Sequence, residues 1–154
     1  MASISLLRKS HTLPISLEAA WAYFSDPANL PEITPPDLGF KVLSDPPGSI
    51  YPGMILRYSV RPLPGLSTVW VSEITHVRDL EFFVDEQRIG PYRLWHHEHH
   101  FRRDPAGVIV EDIVHYALPF GWLGSLLAGA MVRRRLEAIF AYRARILIQR
   151  FGNL

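Results

Sequence analysis

Within the stretch Gly90-Pro91-Tyr92-Arg93-Leu94-Trp95-His96-His97-Glu98-His99-His100-Phe101-Arg102 stand four of the chain's seven histidines. Imidazole is the side chain best suited to moving a proton near neutral pH or to ligating a metal. Read at the period of two that a strand imposes, the stretch splits into two faces. Arg93, Trp95, His97, His99 and Phe101 share one, and Leu94, His96, Glu98, His100 and Arg102 share the other. Trp95 and Phe101 mark the first face as the buried one. His97 and His99 then point inward, where a polar group without a partner costs roughly 1 to 3 kcal/mol.

The same alternation supplies partners. On the segment from Glu81, Phe83, Asp85 and Gln87 share a face, and on the segment from Val108 so do Val110, Asp112, Val114 and Tyr116. His99 oriented by Asp112 has the makings of a general base, and Tyr116 or Arg143 can hold a developing oxyanion, which together suit enolisation, cyclisation or dehydration. The same groups can equally form a self-satisfied core network, with Asp112 paired to His99 or Arg143. His97 and His99 can also reach one ion, with Asp85 or Asp112 as a third ligand. A His-x-His pair is common by chance and His96 and His100 lie on the opposite face, so no metal site is expected. No nucleophile motif, phosphate loop or cofactor fingerprint is present, so no cofactor is expected either.

These side chains need a frame. Ser3 to His11 is expected as a strand ended by Pro14. Ser16 is an N-cap for a helix carrying Glu18 in its first turn and the apolar set Ala20, Trp21, Tyr23 and Phe24. Asp26-Pro27 stops that helix and caps a second short one over 28–33. Thr34-Pro35-Pro36 forbids further helix, Gly39 to Leu43 reads as a brief strand, and Asp45 to Gly53 as a loop. Met54 to Arg61 is a strand with Met54, Leu56, Tyr58 and Val60 on one side, broken by Arg61-Pro62-Leu63-Pro64-Gly65. Thr68 to Val77 (with Trp70), Glu81 to Arg88, the histidine strand and Val108 to Leu118 come next as four antiparallel strands, because the turns between them are too short for parallel crossovers.

From Gly121 to Phe151 the period changes to 3.6. Leu136, Phe140, Arg143 and Leu147 form one stripe of a helix of about 28 residues, roughly 42 Å long. A helix of that length needs a long partner, which a curved antiparallel sheet of about seven strands provides. The fold class expected is therefore α+β. Leu136, Phe140, Tyr58 and Trp70 join Phe83, Asp85, Gln87, Trp95, His97, His99, Phe101, Asp112, Tyr116 and Arg143 as the candidate lining of a pocket between helix and sheet. A mostly apolar pocket with a few convergent polar groups is a small-molecule site, and it requires roughly 300 Å³ or more for a drug-sized ligand.

The totals exclude several classes. The 154 residues suit a single domain spanning 1–154, and a formal charge of +1 argues against a nucleic-acid surface. The absence of cysteine removes disulfides, thiol nucleophiles and thiolate metal sites. Arg8-Lys9 directly after Leu6-Leu7 does not form a signal-peptide core, and the apolar run from Ala117 to Val132 is broken by glycines and shorter than the ~20 residues a spanning helix needs. A cytoplasmic protein is the expectation, its oligomeric state left open. Arg133-Arg134-Arg135 after Trp122 to Met131 can seat a helix peripherally on an acidic membrane, or simply form its solvated side. Tyr51 and Leu66, in Pro/Gly loops, are candidates for a lid.

Strand, two short helices, six strands and a long C-terminal helix is the order of the helix-grip fold. The chain resembles the START-like, or SRPBCC, superfamily, which includes polyketide cyclase/dehydrase-like proteins, lipid-transfer domains, coenzyme Q-binding proteins and the birch-pollen allergen family. The resemblance covers almost the whole chain. It rests on Pro14 with Ala20-Trp21-Ala22-Tyr23-Phe24, Asn29-Leu30 with Thr34-Pro35-Pro36, Gly90-Pro91-Tyr92 with Trp95 and His97, Asp112 with Tyr116, Leu118-Pro119-Phe120-Gly121, and Ile139-Phe140-Ala141-Tyr142-Arg143. It implies a cavity between the concave sheet face and the long helix that takes lipids, sterols, polyketides, quinones or plant hormones, and only some members of the superfamily are enzymes. Binding of a small hydrophobic molecule is therefore the leading expectation. A polyketide cyclase or dehydratase using His99, Asp112 and Tyr116 is the alternative, and a module docking through the long helix a third.

Overall fold

The computed structural model describes residues 4–45, 48–63 and 65–153. Ser3, Pro46, Pro47 and Pro64, which figure in the expected first strand, loop and strand break, lie outside the described residues. β1 (Ser5–Leu13) runs two residues beyond the expected end, up to Pro14 itself. Ser16 caps α1 (Leu17–Phe24), its hydroxyl accepting from the Ala19 amide at 3.1 Å, with Glu18 in the first turn. Asp26 does act as a cap, accepting from the Ala28 amide, but the expected helix over 28–33 contracts to a 3₁₀ turn at Pro27–Asn29.

A second 3₁₀ turn, Pro36–Leu38, forms where the prolines are expected to exclude helix. Proline is disfavoured inside a helix but pre-set for its first position, and one turn needs only the bonds from Leu38 to Pro35 and from Gly39 to Pro36. Gly39, at φ 52°, ends it.

β2 (Lys41–Val42), β3 (Ile55–Leu63), β4 (Leu66–Arg78), β5 (Phe82–Ile89), β6 (Leu94–Asp104) and β7 (Gly107–Ala117) complete a seven-stranded antiparallel sheet in the order β1-β7-β6-β5-β4-β3-β2. β3 continues through Pro62, the residue expected to break it. β2 pairs only with Tyr58 and Ser59, so Pro62 lies past the end of that neighbour, and the missing N–H is absorbed at a register shift between Val60 and Leu63. The chain enters at one edge of the sheet and β2 lies at the other, so α1 and the two 3₁₀ turns carry it across one end of the sheet.

α2 (Gly121–Phe151) spans 31 residues and closes on the Gly152 amide bonding the Ile148 carbonyl. Its stripe is Leu136, Phe140, Arg143 and Leu147, all buried. Leu147 joins Leu13, Leu17, Ala20 and Tyr23 at the α1 end, while Leu136 and Phe140 join Leu7, Trp95, Val114 and Tyr116 at the other. The sheet is thus gripped at two apolar clusters, and the polar side chains fall between them.

The turn between the last two strands requires glycine. Gly107, at φ 141°, turns β6 into β7, and a Cβ there would stand 2.1 Å from the Leu13 carbonyl oxygen. Gly107→Ala is expected to destabilise the protein by more than about 1 kcal/mol, since both the backbone angle and the neighbouring strand forbid the methyl. A urea midpoint unchanged from wild type would contradict this.

Candidate functional site

The strand alternation places Trp95, His97, His99 and Phe101 of β6 on the inner face, all buried, with His96, Glu98 and His100 on the outer face. Asp85 on β5 is paired in register with His97, and Asp112 on β7 with His99. The side chains then cross diagonally, within the reach of same-face neighbours two residues apart. His99 Nε2 donates to Asp85 Oδ2 at 2.8 Å, and His97 Nε2 donates to Asp112 Oδ1 at 2.8 Å. Ionised carboxylates only accept, so each of these ring nitrogens carries a proton. From α2, Arg143 Nη1 donates to Asp112 Oδ1 at 3.0 Å.

The result is a buried chain of charges, Asp85, His99, His97, Asp112 and Arg143. The two rings lie tilted by 34° with centroids 3.7 Å apart, Phe83 stacks on His99 at 4.1 Å, and Phe140 meets His97 edge-on at 5.9 Å. Burial pushes the Asp112 carboxyl up, but the Arg143 charge and the histidine N–H groups more than offset it and hold the group well below the usual carboxylate range. Asp85 is held low in the same way, burial being outweighed by the bond from His99 together with the nearby His97, His99 and Arg143 charges. Burial lowers His97, and the neighbouring His99 adds to that, whereas for His99 the two carboxylates overcome burial and raise it. Two acids face one arginine and a histidine whose hold on a proton is strengthened, an arrangement that offsets the cost of burying the carboxylates.

Beside it lies a cavity of about 260 Å³. Asp85, His97 and His99 form a polar patch on its wall, with Tyr58, Trp70, Phe83, Trp95, Leu136, Phe140 and Arg143 also lining it. The Asp85 side chain keeps 18% exposure towards this space. Tyr58 faces it too, and burial followed by the Asp85 charge raises its phenol above the ordinary range. Trp70 is oriented by its indole N–H, which donates to the Ser72 hydroxyl at 3.0 Å, and meets Trp95 edge-on at 5.3 Å.

A family model described as polyketide cyclase / dehydrase and lipid transport matches residues 13–140. The chain belongs to this family. Among solved structures, the Zhui aromatase/cyclase from a Streptomyces species superposes with a TM-score of 0.74 at 13% identity, over 96% of this chain and 93% of that one. A protein from Chromobacterium violaceum gives 0.73 at 14% identity over 97% and 99%. Norcoclaurine synthase from Thalictrum flavum, solved with a transition-state analogue, gives 0.68 at 12% over 97% and 98%. At these identities the likeness is one of fold. No curated protein matches the chain in sequence.

Within this polyketide cyclase/dehydrase-family fold, ten of the fourteen side chains expected to line a pocket do so, and Gln87, Phe101, Asp112 and Tyr116 do not. Gln87 brackets the β5–β6 turn, accepting from the Tyr92 amide and donating to its carbonyl. Phe101 packs under α1 against Trp21 and Phe24. Asp112 stands behind the histidines, and Tyr116 lies further along the sheet against Tyr92 and Trp95. The trio His99, Asp112 and Tyr116 therefore does not face one space; His99 alone of the three reaches the cavity, and Asp85 takes the place beside it.

Sequence reasoning missed the wall contributed by Tyr23, Phe24, Leu30, Ile33, Leu38, Phe40 and Ile50. Most lie between residues 26 and 50, where no period of two or 3.6 announces an inner face. Leu56 and Val60 were recoverable, since they alternate with Tyr58. The candidate lid residues Tyr51 and Leu66 are exposed and do not line the cavity. Near the start of α2, Phe120, Leu126, Leu127 and Met131 are exposed, while Arg135 is tied to Asp37 at 2.7 Å. Among the described residues no helix is long and apolar enough to cross a membrane.

Proposed function

We propose that this chain binds a compact hydrophobic molecule with one polar end, its apolar body among the aromatic side chains and its polar end at Asp85, His97 and His99. The observation that carries this reading is the cavity itself, lined mostly by apolar and aromatic side chains, with Asp85, His97, His99, Arg143 and Tyr58 among its polar groups. At about 260 Å³ it lies just under the roughly 300 Å³ at which drug-sized sites begin. That size favours a ring system smaller than a drug-sized ligand over a lipid, narrowing the range of occupants expected from the family resemblance.

An enzymatic reading of cyclase or dehydratase type is favoured by one feature, the Asp85–His99 pair at the cavity wall with Asp112 holding the neighbouring ring from behind. In that reading Asp85 and His99 handle the proton and Asp112 is a positioning residue. One experiment separates the two. Native mass spectrometry of freshly purified protein is expected to show a stoichiometric small-molecule adduct that organic solvent releases, and an apolar fluorescent probe is expected to be displaced by the released compound. Recovery of the compound unchanged after incubation with the protein supports binding alone; conversion supports the enzyme. Absence of both adduct and probe binding removes the proposal.

A further inference from the structure

We infer that Asp85, His97 and His99 form a zinc-class metal site whose open coordination position faces the cavity. One donor atom from each lies within 4.8 Å of the others. Asp85 Oδ2 is 2.8 Å from His99 Nε2 and 3.5 Å from His97 Nδ1. Ligands held about 2.0 to 2.1 Å from a tetrahedral zinc stand about 3.3 Å apart, so these two separations need to change by about half an ångström or less.

The hydrogen-bond pattern gives an independent reason. Asp112 fixes the proton of His97 on Nε2, so a neutral His97 turns the lone pair of Nδ1 towards the Asp85 carboxylate, an acceptor against an acceptor. A second proton on His97 would relieve that contact at the cost of a buried imidazolium 3.7 Å from the His99 ring. A cation between Nδ1, Nε2 of His99 and Oδ2 relieves it without that cost.

The far side of the rings fits the same assignment. Ligating histidines characteristically donate their other N–H to a carboxylate that sets ring orientation. Asp112 Oδ1 does this for His97 and stands 3.2 Å from His99 Nδ1, a buried nitrogen that otherwise has no hydrogen-bond partner among the described residues. Ligation displaces the Nε2 proton of His99 to solvent and leaves Nδ1 as the N–H facing Asp112. Two imidazoles and one carboxylate suit zinc, cobalt or nickel better than magnesium or calcium, which prefer all-oxygen sites. Because Arg143 balances Asp112, a dication meets one net negative charge. The open position therefore favours an anionic donor, a carboxylate, enolate or phenolate, as the polar end of the proposed ligand; this last step alone rests on that reading.

The test is titration of chelator-treated protein with zinc by calorimetry and with cobalt by visible absorption. One equivalent is expected, together with the strong visible bands of four-coordinate cobalt. Asp85→Asn and His99→Gln are each expected to weaken zinc by more than about a hundredfold, beyond the 10 to 100-fold typical of losing a supporting partner. The double replacement His96→Gln with His100→Gln, on the outer face, is expected to leave affinity unchanged. Zinc lost with the outer-face pair, or retained in both inner variants, overturns the inference, as does an octahedral cobalt spectrum of the unaltered protein, a readout independent of whether a variant folds. Binding of the apolar probe by metal-free protein is followed in parallel. Probe without zinc sinks the metal site alone, and zinc without probe sinks the ligand reading alone.

Discussion

Replacing Arg143 with methionine is expected to lower the folding free energy by about 3 to 5 kcal/mol, the loss seen when one partner of a buried ion pair is removed. Arg143 is 8% exposed and Asp112 2%, so neither exchanges its partner for water. Methionine keeps most of the guanidinium's apolar stem and its packing near Phe140 and Phe24, so the loss reports charge rather than volume. Asp112 would keep the bond from His97 but lose the full positive charge that faces it, and the cluster would carry an unbalanced negative charge in the interior. Exchanging both partners, Asp112→Leu with Arg143→Met, is expected to recover only part of the loss, because His97 and His99 are then left without the acceptor behind them. Urea unfolding with unchanged slope gives the measurement. A loss below about 1 kcal/mol for Arg143→Met would mean that the two histidines alone satisfy Asp112, and that the cluster does not depend on Arg143 for its charge balance.

That balance was only half legible in the sequence, and the reason is geometric. Alternation assigns Trp95, His97, His99 and Phe101 to one face and Asp85 and Asp112 to the flanking strands' inner faces, because a period of two leaves no other choice while the strands stay regular. The 3.6 period does the same for Leu136, Phe140, Arg143 and Leu147. Partner choice within the face is set by rotamers, which alternation does not specify. The sequence suggests Asp112 with His99 or Arg143. In the structure Asp112 takes Arg143 and His97, and His99 reaches diagonally to Asp85.

The elements that depart most from expectation are those governed by single turns. The prolines at 35, 36 and 62 carry the signature of breakers, yet each sits where a missing N–H costs little: at the start of a 3₁₀ turn or beyond the end of the two-residue β2. Tyr116 shows the opposite error. It lies on the expected face, but the sheet carries it past the cavity's end into the cluster with Tyr92 and Trp95. Facing inward is thus necessary for a site residue and does not suffice. Position along the strand decides whether the space opposite is filled by α2 or left open.

Val60→Trp is expected to abolish apolar-probe binding, weakening it at least a hundredfold, while costing less than about 1 kcal/mol of stability. Val60 is buried on β3 and lines the cavity. In a filled core an indole at that position would overpack and cost roughly 1 to 3 kcal/mol or more. Here about 260 Å³ stands open to receive it, so the ring can occupy the space a ligand would use and add apolar contact of its own. Val69→Trp supplies the control. Val69 is on the neighbouring strand, is 46% exposed and does not line the cavity, so the same side chain there should leave affinity unchanged. The two measurements together discriminate where either alone would not. Lost binding with retained stability locates the ligand in the cavity. Retained binding in Val60→Trp places it elsewhere and removes the polar patch of Asp85, His97 and His99 from its recognition. A large stability loss with no change in affinity would show that the space closes in solution, and the buried charges would then serve the core alone.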